Sequence, residues 1–269
     1  MSFRRSAIGF SLALASLCVP ALVAAQELAQ VAPQQLRRVD PPSPSMSAKE
    51  LEARGEELCG QKYYADAMDY FSAAIEKHDS AQLRNKMGIA QLQMMRFSES
   101  KKSFEKAIKL NKAYPEAYNN LGVVFYMSKN NGKAIKYYER AIKIQPLSAS
   151  FHSNLGTVLF DRKEFNKAAQ EYARAMQLDP LIFERQSRNG VSIKSMNPAD
   201  RAQYAYTIAK LYLHTGDVTH CLLYLRKAQE EGIVLSKKLD SDPAFSQYRK
   251  DPRFMAVMNH QPMELPDPQ

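Results

Sequence analysis

From Ser47 onward, apolar residues recur every three or four positions, the spacing that places them along one side of a helix, and the helices they predict come in pairs. The pattern also repeats as a whole. Gly55, Gly88, Gly122 and Gly156 are separated by 33, 34 and 34 residues. Ala67, Ser100, Ala134 and Ala168 keep the same steps, as do Phe71, Phe104, Tyr138 and Tyr172, and then Ala74, Ala107, Ala141 and Ala175. Small and aromatic classes that stay in phase over four copies predict one helical hairpin used again and again. The units span 48–80, 81–114, 115–148 and 149–182.

Packing accounts for each class. The glycine on the first helix and the small residue twelve positions later are expected where the two backbones cross. The aromatic, one turn further on the same face, fills the space between helices, and the last alanine meets the next unit. Pro146 and Pro180 end second helices, because proline cannot continue the hydrogen-bond ladder. One hairpin leaves an apolar face open and stacked neighbours bury it, so the predicted fold is an all-α solenoid.

A degenerate fifth unit follows at 202–235, with Ala209, Cys221, Leu225 and Ala228 in the four places and Gly216-Asp217 at its turn. Gly156 and Ala209 lie 53 residues apart, so extra chain is inserted between units four and five, at 183–201. This insert holds Arg185, Arg188, Asn189-Gly190 and Ser192, and reads either as a lid or contact loop or as plain surface. Asp242-Pro243-Ala244-Phe245 and Asp251-Pro252-Arg253-Phe254 then start two short helices, with Asp as N-cap and Pro at the first helical position. Within 236–262 they are expected to cover the open end of the last hairpin, leaving 263–269 as a tail.

The segments Tyr118-Asn119-Asn120-Leu121-Gly122, Lys133 to Ile142, Asn154-Leu155-Gly156 and Ala168 to Ala175 resemble tetratricopeptide repeats. This resemblance implies a right-handed superhelix whose first helices line a concave groove that binds peptides or proteins. Some positions depart from the family pattern. The bulky aromatic near each unit's start is Leu51, Arg84, Tyr118 or His152, and Asp79 and Lys112 replace the terminal proline of units one and two. Carried onto this chain, the groove positions are Asn85 and Leu92, then Asn119, Asn120, Val123 and Tyr126, then Ser153, Asn154, Thr157 and Phe160, then Tyr206 and Lys210.

Asn120 and Asn154 resemble two rungs of an asparagine ladder, with Lys86 at the equivalent place in unit two. An amide suits a peptide backbone because it offers donors and an acceptor together. Against this stands a purely local bonding role. For Tyr126 and Phe160, stacking on a ligand stands against burial beside the neighbouring helix. Family members that grip a C-terminal carboxylate use cations on these faces. Unit one offers Glu52 and Glu56, so no such clamp is expected.

Charge adds a second candidate surface. The formal net charge is +9. Between Glu99 and Lys143, ten Lys or Arg face four Glu, and Lys101, Lys102, Lys106, Lys109, Lys133, Lys136, Arg140 and Lys143 lie mostly on second helices, which in this family face the convex side. A solvated face is one reading. The other is contact with anionic lipid headgroups or an acidic partner. Nucleic acid is not expected, since stacking aromatics are not interleaved with the charge.

Residues 1–25 read as a signal peptide: Arg4 and Arg5, an uncharged apolar run from Ala7 to Val19, Pro20, and Val23-Ala24-Ala25 before Gln26. An uncleaved membrane anchor is the alternative. Residues 26–47, rich in Pro and Gln, read as a flexible linker. Export would permit a disulfide, but Cys59 and Cys221 fall in the first and last repeats, too far apart to bond. The five histidines lack the spacing of a helical zinc pair, and no Cys-x-x-Cys, phosphate-binding loop or nucleophile elbow occurs. The sequence therefore points to an exported, non-catalytic scaffold without metal or cofactor that holds a peptide or protein in its groove, with attachment to an anionic membrane surface as the alternative.

Overall fold

A computed structural model describes residues 39–184 and 198–259. The first four units each join a 13-residue helix to a 14-residue helix. They are α1 (Ala48–Gly60) with α2 (Tyr64–Lys77), α3 (Ala81–Gln93) with α4 (Phe97–Leu110), α5 (Pro115–Met127) with α6 (Asn131–Ile144), and α7 (Ala149–Asp161) with α8 (Phe165–Leu178). The fifth unit is α9 (Pro198–His214) with α10 (Val218–Glu230), followed by α11 (Leu235–Ser241), a 3-10 helix (Pro243–Tyr248) and α12 (Pro252–Met258). No strand occurs among the described residues.

Each hairpin turns the same way. Lys62, Met95, Lys129 and Lys163 adopt left-handed backbone with φ of 58–65°, and Gly216 does so in unit five at 82°. In every turn the next residue's N–H reaches back five positions, as in Asn130 to the Phe125 carbonyl at 2.8 Å, while the left-handed residue's own N–H reaches back three, as in Lys129 to Tyr126 at 2.9 Å. These paired bonds close the open carbonyls at a helix C-terminus. Only unit five places a glycine there, where the conformation costs least.

The repeat glycines have a more specific task than backbone crossing. A Cβ at Gly55, Gly88, Gly122 or Gly156 would come within 2.5–2.6 Å of a ring carbon of Phe71, Phe104, Tyr138 or Tyr172, respectively. The glycine is thus the seat of the aromatic of its own hairpin, and any larger side chain would unseat the ring. The small residue twelve positions on is where the helices touch: buried Ser100 donates to the Gly88 carbonyl at 2.8 Å.

Units stack by packing each second helix on the next first helix, and α8 on α9. Successive first helices α1, α3, α5 and α7 also touch one another, which puts them on the inside of the bend and makes theirs the concave face. His152, at the aromatic place of unit four, is buried in the joint. Its Nδ1 lies 2.6 Å from a Glu171 carboxylate oxygen and its Nε2 3.0 Å from the Pro146 carbonyl, so it ties α7 to α8 and to the end of the preceding unit.

Two boundaries differ from the sequence expectation. Residues 39–47, assigned above to the flexible linker, lie on the first hairpin. Val39 and Met46 pack on its core, Tyr70 donates to the Asp40 carbonyl at 3.0 Å, and Lys77 donates to that of Pro44 at 2.8 Å. The insert is also shorter than 183–201. Phe183 is buried with its ring edge-on to Tyr172 at 5.5 Å, and α9 already begins at Pro198. Arg185, Arg188, Asn189, Gly190 and Ser192 lie outside the described residues, as do the signal segment, residues 26–38 and the tail.

The C-terminal closure forms as its caps predict. Asp242 and Asp251 accept from the N–H groups of Ala244 and Arg253 at 3.0 and 2.9 Å, and Phe245 and Phe254 are buried. The first of the two helices is a single 3-10 stretch rather than an α-helix.

Candidate functional site: a concave amide row and a convex cationic face

On the concave side, Asn85, Asn119 and Ser153 sit three residues before the repeat glycine, and Asn120 and Asn154 two before it. This one-residue difference separates an inner row from an outer one. Asn85 and Asn119 are buried and Ser153 is fully so, whereas Asn120 and Asn154 are half-exposed. The amides form one chain across three first helices. Asn154 Nδ2 donates to Asn119 Oδ1 at 2.9 Å, Asn119 Nδ2 to Asn120 Oδ1 at 3.2 Å, and Asn120 Nδ2 to Asn85 Oδ1 at 2.9 Å.

The two-rung ladder expected from sequence is therefore a four-membered network. Its inner members bond only within the protein, while each outer amide keeps a second N–H and acceptor capacity on its exposed side. Thr157, also half-exposed, donates to the Ser153 carbonyl at 2.9 Å.

The two aromatics do not line the groove. Phe160 is 1% exposed, with its ring edge-on to Phe165 and Tyr204 at 5.0 and 5.8 Å. Tyr126 is also buried, and its hydroxyl donates to Asp161 at 2.6 Å. Both rings stand one turn past the glycine, where the neighbouring unit covers them. Burial against the next helix, not stacking on a ligand, is their role.

Either side of the amide row, the concave face changes character. In units one and two, Lys86 bridges Glu52 and Glu56. Partial burial disfavours the ammonium, but the two carboxylates outweigh it and raise its pKa. In unit five the groove positions Tyr206 and Lys210 are taken up by the chain itself, donating to Asp242 Oδ2 at 2.9 and 2.8 Å. Burial alone would raise the pKa of Asp242. The bonds from Lys210, the Ala244 N–H and Tyr206 prevail and hold it below the usual carboxylate range. Sequence reasoning missed both contacts, because neither partner of Lys86 nor that of Lys210 is set by the repeat pattern.

On the other side, Lys102, Lys109, Lys133, Lys136, Arg140 and Lys143 are exposed, and Lys101 and Lys106 half-exposed. Not all are available. Lys101 and Lys133 lie over the Phe125 ring at 5.8 and 5.2 Å, Arg140 over Tyr118 at 5.7 Å, and Lys106 is 3.9 Å from Asp79.

Little on the described surface resembles a reaction centre. Among the described residues, no three His, Cys, Asp or Glu side chains converge to hold a metal ion. Cys59 and Cys221 are unbonded to each other. Burial raises the pKa of both thiols, Cys221 to about 12, so neither is poised as a thiolate nucleophile. Among the described residues, no helix is long and apolar enough to cross a membrane.

Four stacked hairpins of fixed length, each closed by an aromatic seated on a glycine, and a looser fifth define a helical-repeat solenoid. Residues 115–146 match the family model described as tetratricopeptide repeat, and residues 96–129 the one described as TPR repeat. Residues 96–146 of the chain are therefore tetratricopeptide repeats. Comparison with curated proteins returned no match.

Among solved structures, the chain is similar to MamA, at 19% identity and a TM-score of 0.46 over 69% of this chain and 96% of that one. It is also similar to YrrB, described as a TPR protein with an unusual peptide-binding site, at 18% identity and a TM-score of 0.46 over 69% and 87%. A third likeness is the second TPR domain of human RPAP3 in complex with an HSP70 peptide, at 20% identity and a TM-score of 0.40 over 43% and 98%. The repeat assignment rests on the matched segments and on the hairpin geometry.

Proposed function

We propose that this protein is a non-catalytic interaction scaffold that holds an extended peptide segment of a partner along the concave face of units three and four. The observation that carries this reading is the two-layer amide network. Buried Asn85 and Asn119 each accept a hydrogen bond from the half-exposed amide beside them, Asn120 and Asn154, respectively. An amide held in one orientation from below loses little entropy when it bonds a ligand, which is the benefit of preorganisation.

The outer pair stand one repeat apart on neighbouring helices, whose axes lie roughly 10 Å apart. About three residues of extended chain span that distance, so a peptide backbone can meet both amides in register. Thr157 adds a hydroxyl beside them. The signal-like residues 1–25 support placing this scaffold outside the cytoplasm, in the periplasm or the medium, or tethered there by an uncleaved N-terminus.

Selection from a random-peptide display library tests the reading. Wild type is expected to enrich a defined set of peptides that the Asn120→Ala, Asn154→Ala double variant, at equal helicity by circular dichroism, does not bind. Binding of the same peptides with unchanged affinity by the variant would move the site elsewhere.

A further inference from the structure

The convex side carries a surface that hairpin packing does not require. Lys102, Lys106 and Lys109 on α4 and Lys136, Arg140 and Lys143 on α6 occupy the same three repeat positions. Their spacing of four and then three residues sets them on one face of each helix. The equivalent places are Asp69, Ala73 and Glu76 in unit one and Gln170, Arg174 and Gln177 in unit four. The same fold is thus built with a single cation, Arg174, among those six places.

Lys109 and Lys143 lie in the last turn of their helices, where the helix dipole favours a cation. Lys102 and Lys136 lie in the first half of theirs, where it does not. Lys102, Lys109, Lys136 and Lys143 form no ion pair among the described residues.

The C-terminal ends of these second helices expose leucines. Leu110, the last residue of α4, is 44% exposed, Leu147 just after α6 is 68% exposed, and Leu181 just after α8 is 49% exposed. Leu147 and Leu181 are the same repeat position, so these side chains line the inter-unit loops of consecutive units. Lys109 and Lys112 lie within two residues of Leu110, and Lys143 precedes Leu147 by one helical turn.

We propose that this edge of units two to four docks on an anionic lipid bilayer, with the leucines entering the headgroup region and the lysines of α4 and α6 lying over the lipid phosphates. Cations beside exposed aliphatic side chains form the combination that holds a protein at such an interface. A broad outward-facing surface meets a bilayer without needing a groove, whereas an acidic peptide would require one to be held specifically. The proposal stands apart from the groove: the scaffold would bind its ligand on one side and the membrane on the other.

The chain contains no tryptophan, so one introduced indole reports on its own site. Leu147→Trp is to be compared with Val234→Trp, whose native residue is also 68% exposed but lies in the turn between α10 and α11, away from units two to four in sequence. Each is titrated as full chain with vesicles of phosphatidylcholine alone and with vesicles containing 30% phosphatidylglycerol. The expected result is a blue shift for Leu147→Trp on the anionic vesicles only, with none for Val234→Trp. At 1 M salt, where screening acts within about 3 Å, the shift should vanish.

Adding Lys102→Glu, Lys136→Glu and Lys143→Glu is expected to weaken the anionic partitioning by about a hundredfold or more, at unchanged helicity. An unshifted Leu147→Trp on anionic vesicles would overturn the proposal. So would a shift of equal size on neutral vesicles, or one that survives charge reversal.

Discussion

The concave face treats its units differently. In units three and four the outer amides Asn120 and Asn154 are held from below and open above. In unit five, groove positions Tyr206 and Lys210 are already occupied by Asp242 from the chain's own C-terminal closure. One face therefore ends in a filled section beside an unfilled one. The filled section shows how this scaffold holds a piece of polypeptide, through a hydroxyl and an ammonium from one helix converging on one carboxylate. The unfilled section offers uncharged amides instead, which suit a peptide backbone better than an acidic side chain.

Separating the two sections should have the largest effect. Phe160 is the fully buried ring that joins unit four to α9 through Tyr204. Phe160→Ala is expected to cost about 3–5 kcal/mol in urea unfolding and to loosen unit five from the array, visible as faster amide exchange in α9 and α10. A loss below about 1 kcal/mol would mean that the two sections are not coupled through this ring.

A smaller effect tests the two-layer amide network. Asn119→Ala leaves Asn154 Nδ2 without its acceptor and Asn120 Oδ1 without its donor. Water can reach these half-exposed groups, so the expected cost is about 1–2 kcal/mol, at the lower end for a broken hydrogen bond. Peptide affinity should fall as well, although Asn119 is too buried to touch a ligand. Unchanged affinity would show that the outer amides need no support.

The smallest effect concerns the filled section and depends on pH. Asp242 is held below the ordinary carboxylate range when folded. Its contribution is therefore fully present above the unfolded carboxylate pKa and lost as pH falls through the depressed folded value. Acidification across that window should release the 3-10 helix and α12 before the hairpins melt, read as earlier exchange of residues 243–258. Asp242→Ala, which also removes an N-cap contribution of about 1 kcal/mol, should show that release at neutral pH. If exchange in this segment does not depend on pH or on Asp242, the closure is held by Phe245 and Phe254 alone.

The repeat itself was legible because it depends on contacts inside one hairpin. A glycine sixteen residues before an aromatic, and a small residue between them, record helix-on-helix distance directly, and every copy must satisfy the same sterics. The caps at Asp242 and Asp251 were legible for the same reason, since a capping bond spans only two or three residues.

The faces were read less well. Position relative to the glycine marked Asn85, Asn119, Asn120 and Asn154 as concave, but it could not show that two of them lie beneath the others. Nor could it show that Tyr126 and Phe160 turn under the next unit. Burial there depends on the angle between units, which no single repeat encodes.

By itself, then, the sequence determined the number of the hairpins, the length of the first four and their seams, because those follow from local spacing and close contact within a unit. The tertiary structure decided which polar side chains look outward, that residues 39–47 dock on the first hairpin, that Lys86 belongs to Glu52 and Glu56, and that Asp242 fills the groove of unit five. Each of these contacts joins groups 27 to 36 residues apart, whose meeting is set by how one unit leans on the next.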